Sequence, residues 1–333
     1  MINMSAEIKN NWTLEEIREI YFSPVLQLIV RAAEVHKQHQ ATAEVQVCTL
    51  LSVKTGGCSE DCAYCPQAAR YSTGVDAHKM MTYADVVDKA LEAKNEGSTR
   101  FCMGAAWRNV KDNSDFDKVI DMVKGVNALG LEVCCTLGML TEDQAARLKE
   151  AGLYAYNHNL DTSEEHYGDI ITTRTYDDRL TTLNNVEKAG LSVCCGGIIG
   201  LGETDEDRIK LLHTLATREK HPESVPVNAL VSVKGTPLEG RERVQVWEMV
   251  RMIATARILM PKAMVRLSAG RNEMNYEQQA LCFLAGANSI FAGDKLLTTP
   301  NPEFSADKEM FELLGLKPRE SFKVEKAQEV VVN

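Results

Sequence analysis

The feature that most constrains the fold is a repeated alternation of short β-type segments with amphipathic helical segments, which runs from residue 44 to residue 291. Such alternation predicts parallel strands joined by helices. The expected strands begin near Glu44, Arg100, Leu131, Tyr154, Leu191, Val225, Val265 and Asn288. Glycine recurs where a helix should end and the next strand begin, a position that favours a left-handed conformation. These glycines are Gly97, Gly130, Gly152 and Gly190.

Eight strands with crossover helices over about 250 residues are typical of an α/β protein with a (β/α)8 barrel of the TIM type. In such barrels the functional groups lie at the carboxyl ends of the strands. An open, doubly wound sheet is the alternative. We expect residues 1–43 to form an N-terminal helical extension, residues 44–316 the barrel, and residues 317–333 a charged, mobile tail.

Composition narrows the class of protein. The 333 residues carry a net charge of −10, which argues against a protein that coats nucleic acid. No apolar run approaches the roughly 18 residues that a membrane span needs. The ten cysteines are not arranged as in a secreted disulfide scaffold. We therefore expect a cytoplasmic protein with no nucleic-acid or membrane partner.

Three cysteines, Cys58, Cys62 and Cys65, form a C-x3-C-x2-C motif just beyond the first predicted strand. Thiolates this close in sequence can hold one metal centre from a single loop, and Gly56 and Gly57 allow the chain to turn tightly. A structural zinc site or a closed iron–sulfur cluster would normally have a fourth protein ligand. Three ligands therefore indicate a cluster with one iron open to an exogenous molecule.

Side-chain alternation along the predicted strands separates the remaining cysteines. In the strand that begins near Leu131, Cys134 shares the polar face with Glu132, whereas Cys135 lies on the apolar face. The same argument on three further strands assigns an inward face to Cys102, Cys194 and Arg266. Converging buried thiolates need a metal and a cation to neutralise them, so this set predicts a second iron–sulfur centre. The cysteines interpreted as core residues are Cys48, Cys135, Cys195 and Cys282.

The cysteine motif, written in full as C-x3-C-x-Tyr-C, resembles that of the radical S-adenosylmethionine superfamily. The glycine-rich segment from Gly197 to Glu203 resembles the superfamily's turn near the adenine. The resemblance implies a [4Fe–4S] cluster on the three loop cysteines, with S-adenosylmethionine on the open iron. In that superfamily, reductive cleavage of S-adenosylmethionine produces a 5′-deoxyadenosyl radical; the cofactors carry this chemistry and the protein orients them. The resemblance also places Gly197, Gly200 and Glu203 at S-adenosylmethionine.

Longer blocks, from about residue 44 to residue 316, resemble one branch of that superfamily, the biotin synthase family. In that family three cysteines and an arginine hold a [2Fe–2S] cluster. The matching residues here are Cys102, Cys134, Cys194 and Arg266. Where the family commonly has other residues, this chain also has Cys135 and Cys195, so either is an alternative ligand. The resembling blocks are residues 54–67, 101–107, 156–162, 265–271 and 295–302.

The resemblance also implies contacts to small molecules. Asn159 and Asp161 share a strand face with Asn157, and their amide and carboxylate groups match ribose hydroxyls and a ureido group. Asp161 would bind the ribose of S-adenosylmethionine and Asn159 would lie between cofactor and substrate. Arg179 would pair with the methionyl carboxylate. In the substrate dethiobiotin, the ureido ring is expected to contact Asn228. The carboxylate tail is expected to contact Thr298 and Thr299.

The expected activity is that of a sulfurtransferase that inserts sulfur into dethiobiotin to form biotin, the last step of biotin biosynthesis. The second cluster would supply the sulfur, and a flavodoxin or ferredoxin the electrons; the resemblance also implies a homodimer. One alternative is another radical S-adenosylmethionine enzyme built on the same barrel. From a different class, the chain could be a non-catalytic iron–sulfur electron-transfer protein or a zinc-binding module. The second inward set argues against the first alternative, and the open cluster iron argues against the others.

Overall fold

The computed structural model describes residues 8–322. The strands in that range are β1 (Glu44–Lys54), β2 (Arg100–Ala105), β3 (Glu132–Thr136), β4 (Ala155–Asn157), β5 (Ser192–Cys194), β6 (Gly197–Ile199), β7 (Ser224–Ala229), β8 (Met264–Leu267), β9 (Ser289–Ala292) and β10 (Lys317–Pro318). The helices are α1 (Leu14–Tyr21), α2 (Val25–His39), α3 (Tyr83–Asn95), α4 (Ser114–Ala128), α5 (Glu142–Glu150), α6 (Glu164–Ile170), α7 (Tyr176–Lys188), α8 (Asp205–Ala216), α9 (Val246–Leu259), α10 (Tyr276–Leu284) and α11 (Phe304–Leu314).

The central sheet closes on itself. Neighbouring strands pair in parallel in the order β1, β2, β3, β4, β5, β7, β8 and β9. β9 then pairs with β1, so that Gln46 lies opposite Ser289 and Thr49 opposite Ala292. The short strand β6 follows β5 and pairs with β7. The fold is therefore the predicted (β/α)8 barrel and not an open sheet, and each predicted strand start lies within one residue of an observed one.

Local sequence signals set the limits of the helices. α3 begins after Thr82, whose hydroxyl accepts a hydrogen bond from the Asp85 amide at 3.2 Å. Thr141 and Gln144 form a capping box at the start of α5. The glycines predicted to follow helices have positive φ, for example 101° at Gly97. Each of these helices therefore ends at a glycine from which the chain enters the next strand. Because the strands are parallel, their carboxyl ends lie together at one mouth of the barrel.

The N-terminal helices lie outside the barrel. α1 buries Ile17, Ile20 and Tyr21 and contacts α8 and α9. α2 packs along α9 and buries Leu28 and His36. Within residues 8–322, none of the helices is both long and apolar enough to cross a membrane.

The start of the predicted mobile tail is docked, which corrects that expectation for residues 317–322. Strand β10 pairs with β1 beside Glu44 and Val45. The Ser321 hydroxyl donates to the Glu132 carboxylate at 3.2 Å, and the Phe322 ring stacks on Tyr154 with 6.0 Å between ring centroids. A carboxylate and an aromatic ring at the amino end of the barrel therefore give this charged segment specific partners. Residues 323–333 of the predicted tail lie outside the described residues.

Candidate active site

The loop that carries Cys58, Cys62 and Cys65 follows β1 at the carboxyl mouth of the barrel. Its two ends are joined by backbone hydrogen bonds from Cys58 N to Gln67 O at 3.0 Å and from Ala69 N to Cys58 O at 2.8 Å. Gly56 has φ 71°, and a Cβ there would lie 2.7 Å from the carbonyl oxygen of Asp76. Only glycine fits this turn without displacing backbone.

Asp61 fastens the middle of the loop to the segment after α6. Its carboxylate accepts hydrogen bonds from the backbone amides of Thr172 at 2.9 Å and Thr173 at 3.2 Å. Burial acts to raise the pKa of Asp61, but these bonds, together with those from the two threonine hydroxyls, lower it to about 2. An ionised carboxylate therefore holds the cysteine loop across a distance of more than a hundred residues in sequence.

The loop thiols lie beside a cation that the sequence analysis did not identify. Arg174 donates from Nη2 to Cys62 Sγ at 3.6 Å. Burial raises the pKa of Cys62 to about 11, and the positive charge of Arg174 acts in the opposite direction. Burial likewise raises the pKa of Cys65 to about 12. These thiols are therefore neutral at pH 7 without a metal, and metal binding must release their protons. Arg174 follows no motif that marks it, so only the fold shows its position.

Two of the predicted cofactor contacts form one ion pair in the structure. Arg179 donates from Nη2 to Asp161 Oδ2, and from Nε to the Tyr167 hydroxyl at 2.9 Å. The Tyr64 hydroxyl, from the cysteine loop, also donates to Asp161 Oδ2 at 2.8 Å. Among residues 8–322, Asp161 is the one non-glycine residue with positive φ, at 70°. The pair thus links the loop, the end of β4 and α7 at a strained position.

The predicted asparagines lie near this ion pair. Asn159 Oδ1 accepts from the Gly196 amide at 3.1 Å and from Asn157 Nδ2 at 3.2 Å. Asn228 Nδ2 donates to the Gly197 carbonyl at 2.9 Å. The backbone thus orients both predicted substrate-binding amides. Asn159 keeps its Nδ2 group for another partner.

Glu203 is positioned differently from the other predicted cofactor residues. Its Oε1 atom accepts from the Gly200 amide at 2.9 Å and from Arg208 Nε at 2.8 Å. It therefore stabilises the glycine-rich turn from within. Gly197 lies against the backbone of Asp161, where a Cβ would be 2.8 Å from the Asp161 carbonyl oxygen. In the described part of the chain, Gly197, Gly200 and Glu203 are not among the residues that line the cavity below the loop.

Inside the barrel, Cys102, Cys134, Cys194 and Arg266 come together as strand alternation predicted. Thiol hydrogen bonds connect Cys102 to Cys134 and Cys134 to Cys194. Arg266 Nη1 lies 3.7 Å from Cys194 Sγ. Hydrogen bonding with Cys134 lowers the pKa of Cys194 to about 7 although the thiol is fully buried, and Arg266 acts in the same direction. Cys194 therefore has the greatest thiolate character of this group.

Cys48 corrects the sequence interpretation. It was assigned to the core, but it lies in the barrel interior with the predicted set. Arg266 Nη2 donates to Cys48 Sγ at 3.3 Å, and Cys48 is hydrogen-bonded to Cys102. The signal lies in β1 itself, where Cys48 shares a strand face with Gln46, whose Oε1 atom accepts a hydrogen bond from Arg266 Nη2 at 3.3 Å. The other core assignments agree with the structure, which packs Cys135, Cys195 and Cys282 into the outer hydrophobic core.

A buried ionic layer supports this interior cluster on the amino side. Arg100 donates from Nε to Glu132 at 2.9 Å and from its two terminal nitrogens to Glu223 at 2.9 and 2.8 Å. Glu132 also accepts from Ser321, which belongs to the docked C-terminal segment. The charges of Arg100 and Glu132 are compensated inside the barrel, as buried charges must be.

One cavity of about 320 Å³ extends from the cysteine loop towards the barrel interior. This volume lies in the range of small-molecule sites. Its lining includes all three loop cysteines and three of the four residues predicted for the second centre. The predicted residues that line it are Cys58, Cys62, Cys65, Cys102, Cys134, Asn159, Asp161, Arg179, Asn228, Arg266, Thr298 and Thr299.

Known proteins identify the family. A model described as the Radical SAM superfamily matches residues 52–215, and one described as the Biotin and Thiamin Synthesis associated domain matches residues 226–317. The biotin synthase of Cytophaga hutchinsonii is 73% identical over 96% of this chain and 94% of its own length. The chain belongs to the biotin synthase family. The mitochondrial biotin synthase of Arabidopsis thaliana is 61% identical, over 93% of this chain and 82% of its own length.

Solved structures support the fold of this biotin synthase family member. Methylornithine synthase aligns with a TM-score of 0.80 at 19% identity, over 94% of this chain and 96% of the other. The FeFe-hydrogenase maturase HydG aligns with a TM-score of 0.81 at 17% identity, over 95% of this chain and 74% of the other. At these identities the likeness concerns the barrel and not the reaction.

Membership of the radical S-adenosylmethionine superfamily implies S-adenosylmethionine and a [4Fe–4S] cluster. The residues present fit this group, because three thiols line a cavity beside a buried carboxylate and two arginines. Within residues 8–322, no three side chains of the metal-ligating types converge on a single ion. The enzyme family also favours catalysis over the electron-transfer and zinc-binding alternatives.

Proposed function

We propose that this chain is the sulfurtransferase that converts dethiobiotin to biotin. In this proposal Cys58, Cys62 and Cys65 hold the [4Fe–4S] cluster, and Cys102, Cys134, Cys194 and Arg266 hold a [2Fe–2S] cluster. The observation that carries the proposal is the shared cavity, because loop cysteines and interior residues line the same space. A substrate in that space would contact both centres at once.

When bound, the loop cluster and S-adenosylmethionine supply a 5′-deoxyadenosyl radical that can abstract hydrogen from an unactivated carbon, and the interior cluster supplies sulfur. Side chains of the protein orient the reactants for this chemistry. Asp161, held by Tyr64 and Arg179, presents a carboxylate suited to ribose hydroxyls. Because Asp161 is already paired with Arg179, the methionyl carboxylate would have to share that guanidinium or pair with Arg174, whose charge also faces the cavity.

The substrate end of the cavity has the polarity of a ureido acid with an apolar chain. Asn228 is orientated by the Gly197 carbonyl and lines one wall. Leu296 and Leu297 are apolar residues in the loop that also presents Thr298 and Thr299. Asn301 fixes that loop by donating to the carbonyls of Phe291 at 3.0 Å and Gly293 at 2.7 Å. We assign the ureido group to Asn228 and the carboxylate tail to the two threonines, with the apolar chain between them.

The interior residues suit an anionic cluster. Arg266 is buried and its guanidinium lies over the Phe291 ring, with 4.6 Å to the ring centroid. Its Nε donates to the Ser289 hydroxyl at 2.9 Å, which fixes the plane of the group. A buried cation beside several thiols offsets the charge that thiolate ligands would bring into the barrel. The assignment of Cys134 and Cys194 as ligands, over Cys135 and Cys195, rests on this arrangement.

We further propose that a flavodoxin or ferredoxin supplies the electrons, that the chain works in the cytoplasm and that it forms a homodimer. The support for self-association is an exposed apolar face on and beside α2 that includes Phe22, Leu26 and Val30. Exposed apolar patches of this kind often mark interfaces. Analytical ultracentrifugation of the wild type and a Leu26→Lys variant tests the dimer. A dimer in which Leu26→Lys has no effect would exclude this face, and a monomeric wild type would exclude the dimer.

The activity is tested by anaerobic incubation of the reconstituted protein with S-adenosylmethionine, dithionite and dethiobiotin. We expect 5′-deoxyadenosine and biotin among the products, identified by mass spectrometry. Deoxyadenosine without biotin would contradict the proposed substrate and support another radical enzyme. Absence of both products from protein with a full complement of iron and sulfide would contradict the radical chemistry itself.

A further inference from the structure

The barrel interior contains one more thiol than the proposed second centre uses. Five side chains form a closed ring: Cys48 contacts Cys102, Cys102 contacts Cys134, Cys134 contacts Cys194, Cys194 contacts Arg266, and Arg266 contacts Cys48. All five are buried. Four of them are assigned to the [2Fe–2S] cluster, which leaves Cys48 as a ring member without a role.

The fold places Cys48 beside Arg266 by pairing across the closure of the barrel. Gln46 pairs with Ser289 and Cys48 with Phe291, while Arg266 pairs with Ser289 from the other side. Cys48 Sγ consequently lies 3.3 Å from Arg266 Nη2, and Cys194 Sγ lies 3.7 Å from Arg266 Nη1. The guanidinium therefore bridges two thiols, one on each side.

The chemistry of iron favours the thiol over the guanidinium in this position. Four cysteine thiolates are the usual ligands of a [2Fe–2S] cluster. A guanidinium has no lone pair available to iron until it loses a proton, and its pKa exceeds about 12 in proteins. The interior thus contains a complete set of four cysteines together with an arginine.

We propose that Cys48 is an alternative ligand for the iron position assigned to Arg266, so that this chain can hold its interior cluster with four cysteines. The inference rests on the proposed function, because it requires the second cluster. The exchange balances without any electron transfer. With the cluster bound, an iron–sulfur bond to Cys48 would replace the iron–nitrogen bond to Arg266. The thiol proton of Cys48 would pass to the released guanidine nitrogen of Arg266, its hydrogen-bond partner.

The test compares Arg266→Met with the double variant Cys48→Ser/Arg266→Met. Each protein is reconstituted anaerobically with isotopically enriched iron and sulfide, and the second cluster is quantified by Mössbauer spectroscopy and by its reduction potential. Cys282→Ser/Arg266→Met is the matched control, because Cys282 is equally buried but lies outside the ring. A parallel set built on Arg266→Lys keeps a positive charge in the barrel, in case the methionine variant does not fold.

We expect Arg266→Met to retain the second cluster, with both irons in equivalent thiolate surroundings and a reduction potential below that of the wild type. Adding Cys48→Ser should reduce the retained cluster by about tenfold, the scale on which groups that support a metal site act. Adding Cys282→Ser should leave it unchanged.

Loss of the cluster from Arg266→Met with Cys48 present would overturn the inference. Equal amounts of cluster with the same Mössbauer parameters in Arg266→Met and the double variant would also overturn it. Either result leaves the proposed function standing if the wild type has two cluster types. A wild type with a single cluster type would overturn the two-centre function and this inference together.

Discussion

The two cysteine groups of this barrel are built in opposite ways. The loop group comes from eight consecutive residues, lies at the mouth of the barrel, and is held by the carboxylate of Asp61. The interior group comes from separate strands and its members contact one another. A contiguous motif leaves one side of a metal centre open to a cofactor, whereas a ring of strands encloses it. The difference matches the proposed division between a loop centre that binds S-adenosylmethionine and an interior centre that meets the substrate only through the shared cavity.

The largest expected effect is on the products formed when one cysteine of each group is replaced. We expect Cys62→Ser to abolish both 5′-deoxyadenosine and biotin, with a fall of at least about three orders of magnitude towards the uncatalysed background. Cys134→Ser should lose biotin but continue to form deoxyadenosine, because the loop centre is intact. Quantifying both products by mass spectrometry decides this. Equal loss of deoxyadenosine in the two variants would show that the groups do not work separately.

The residues that hold the two groups in place, Glu132 below the interior group and Asp61 in the loop, should differ in their contribution to the free energy of unfolding. Glu132→Gln leaves buried Arg100 without one of its carboxylates and should lower the free energy of unfolding by about 3 kcal/mol. Asp61→Asn should loosen the cysteine loop and lower its iron content with a much smaller effect on unfolding. Urea titration with iron analysis measures both quantities.

The control for that experiment is Asp121→Asn, which removes an exposed pair with Lys124 on α4. We expect a change of about 0.5 kcal/mol or less. If Glu132→Gln were no more destabilising than this control, the ionic layer below the ring would have no structural importance.

The neighbouring cysteines of β3 sharpen the definition of the interior group. Cys134→Ala should reduce the retained second cluster by roughly 100-fold, whereas Cys135→Ala should leave it in place. The reason is that Cys134 faces the ring and Cys135 packs in the outer core. Absorbance after anaerobic reconstitution gives the comparison. If only Cys135→Ala lost the cluster, Cys135 and not Cys134 would be the ligand on β3.

His36, on α2 and outside both cysteine groups, makes the stability of the whole protein depend on pH. This contribution has to be subtracted before the pH profiles of the two groups are compared. Burial lowers the pKa of His36 to about 4, and Arg257 acts in the same direction. The folded state therefore favours neutral His36, and its contribution to stability is present above pH 6.5 and is lost as the pH falls towards 4. We expect wild type to lose about 2 kcal/mol more than His36→Gln between pH 7 and pH 5. Denaturant titrations at both pH values measure this, with exposed His78→Gln as the control. An identical pH dependence in His36→Gln and wild type would contradict it.

The sequence predicts much of this molecule for a physical reason. Side-chain alternation along a strand is a local property, so it predicts Cys134 inside and Cys135 outside, as the structure has them. The succession of β-type and helical segments is also local, and it predicts the strand starts to within one residue. The contacts of Arg174 and Cys48 depend on how distant segments meet. Arg174 is 112 residues from Cys62, and Cys48 meets Arg266 only because β9 closes the barrel against β1. The docking of residues 317–322 likewise depends on distant partners, Glu132 and Tyr154, at the amino end of the barrel.

The most direct test of the division between the two groups is Mössbauer spectroscopy during a single turnover of protein reconstituted with isotopically enriched iron. We expect two cluster types at the start. The signal of the interior cluster should then decline in step with biotin formation while the signal of the loop cluster persists. A single cluster type at the start, or biotin formation with both signals unchanged, would contradict the account.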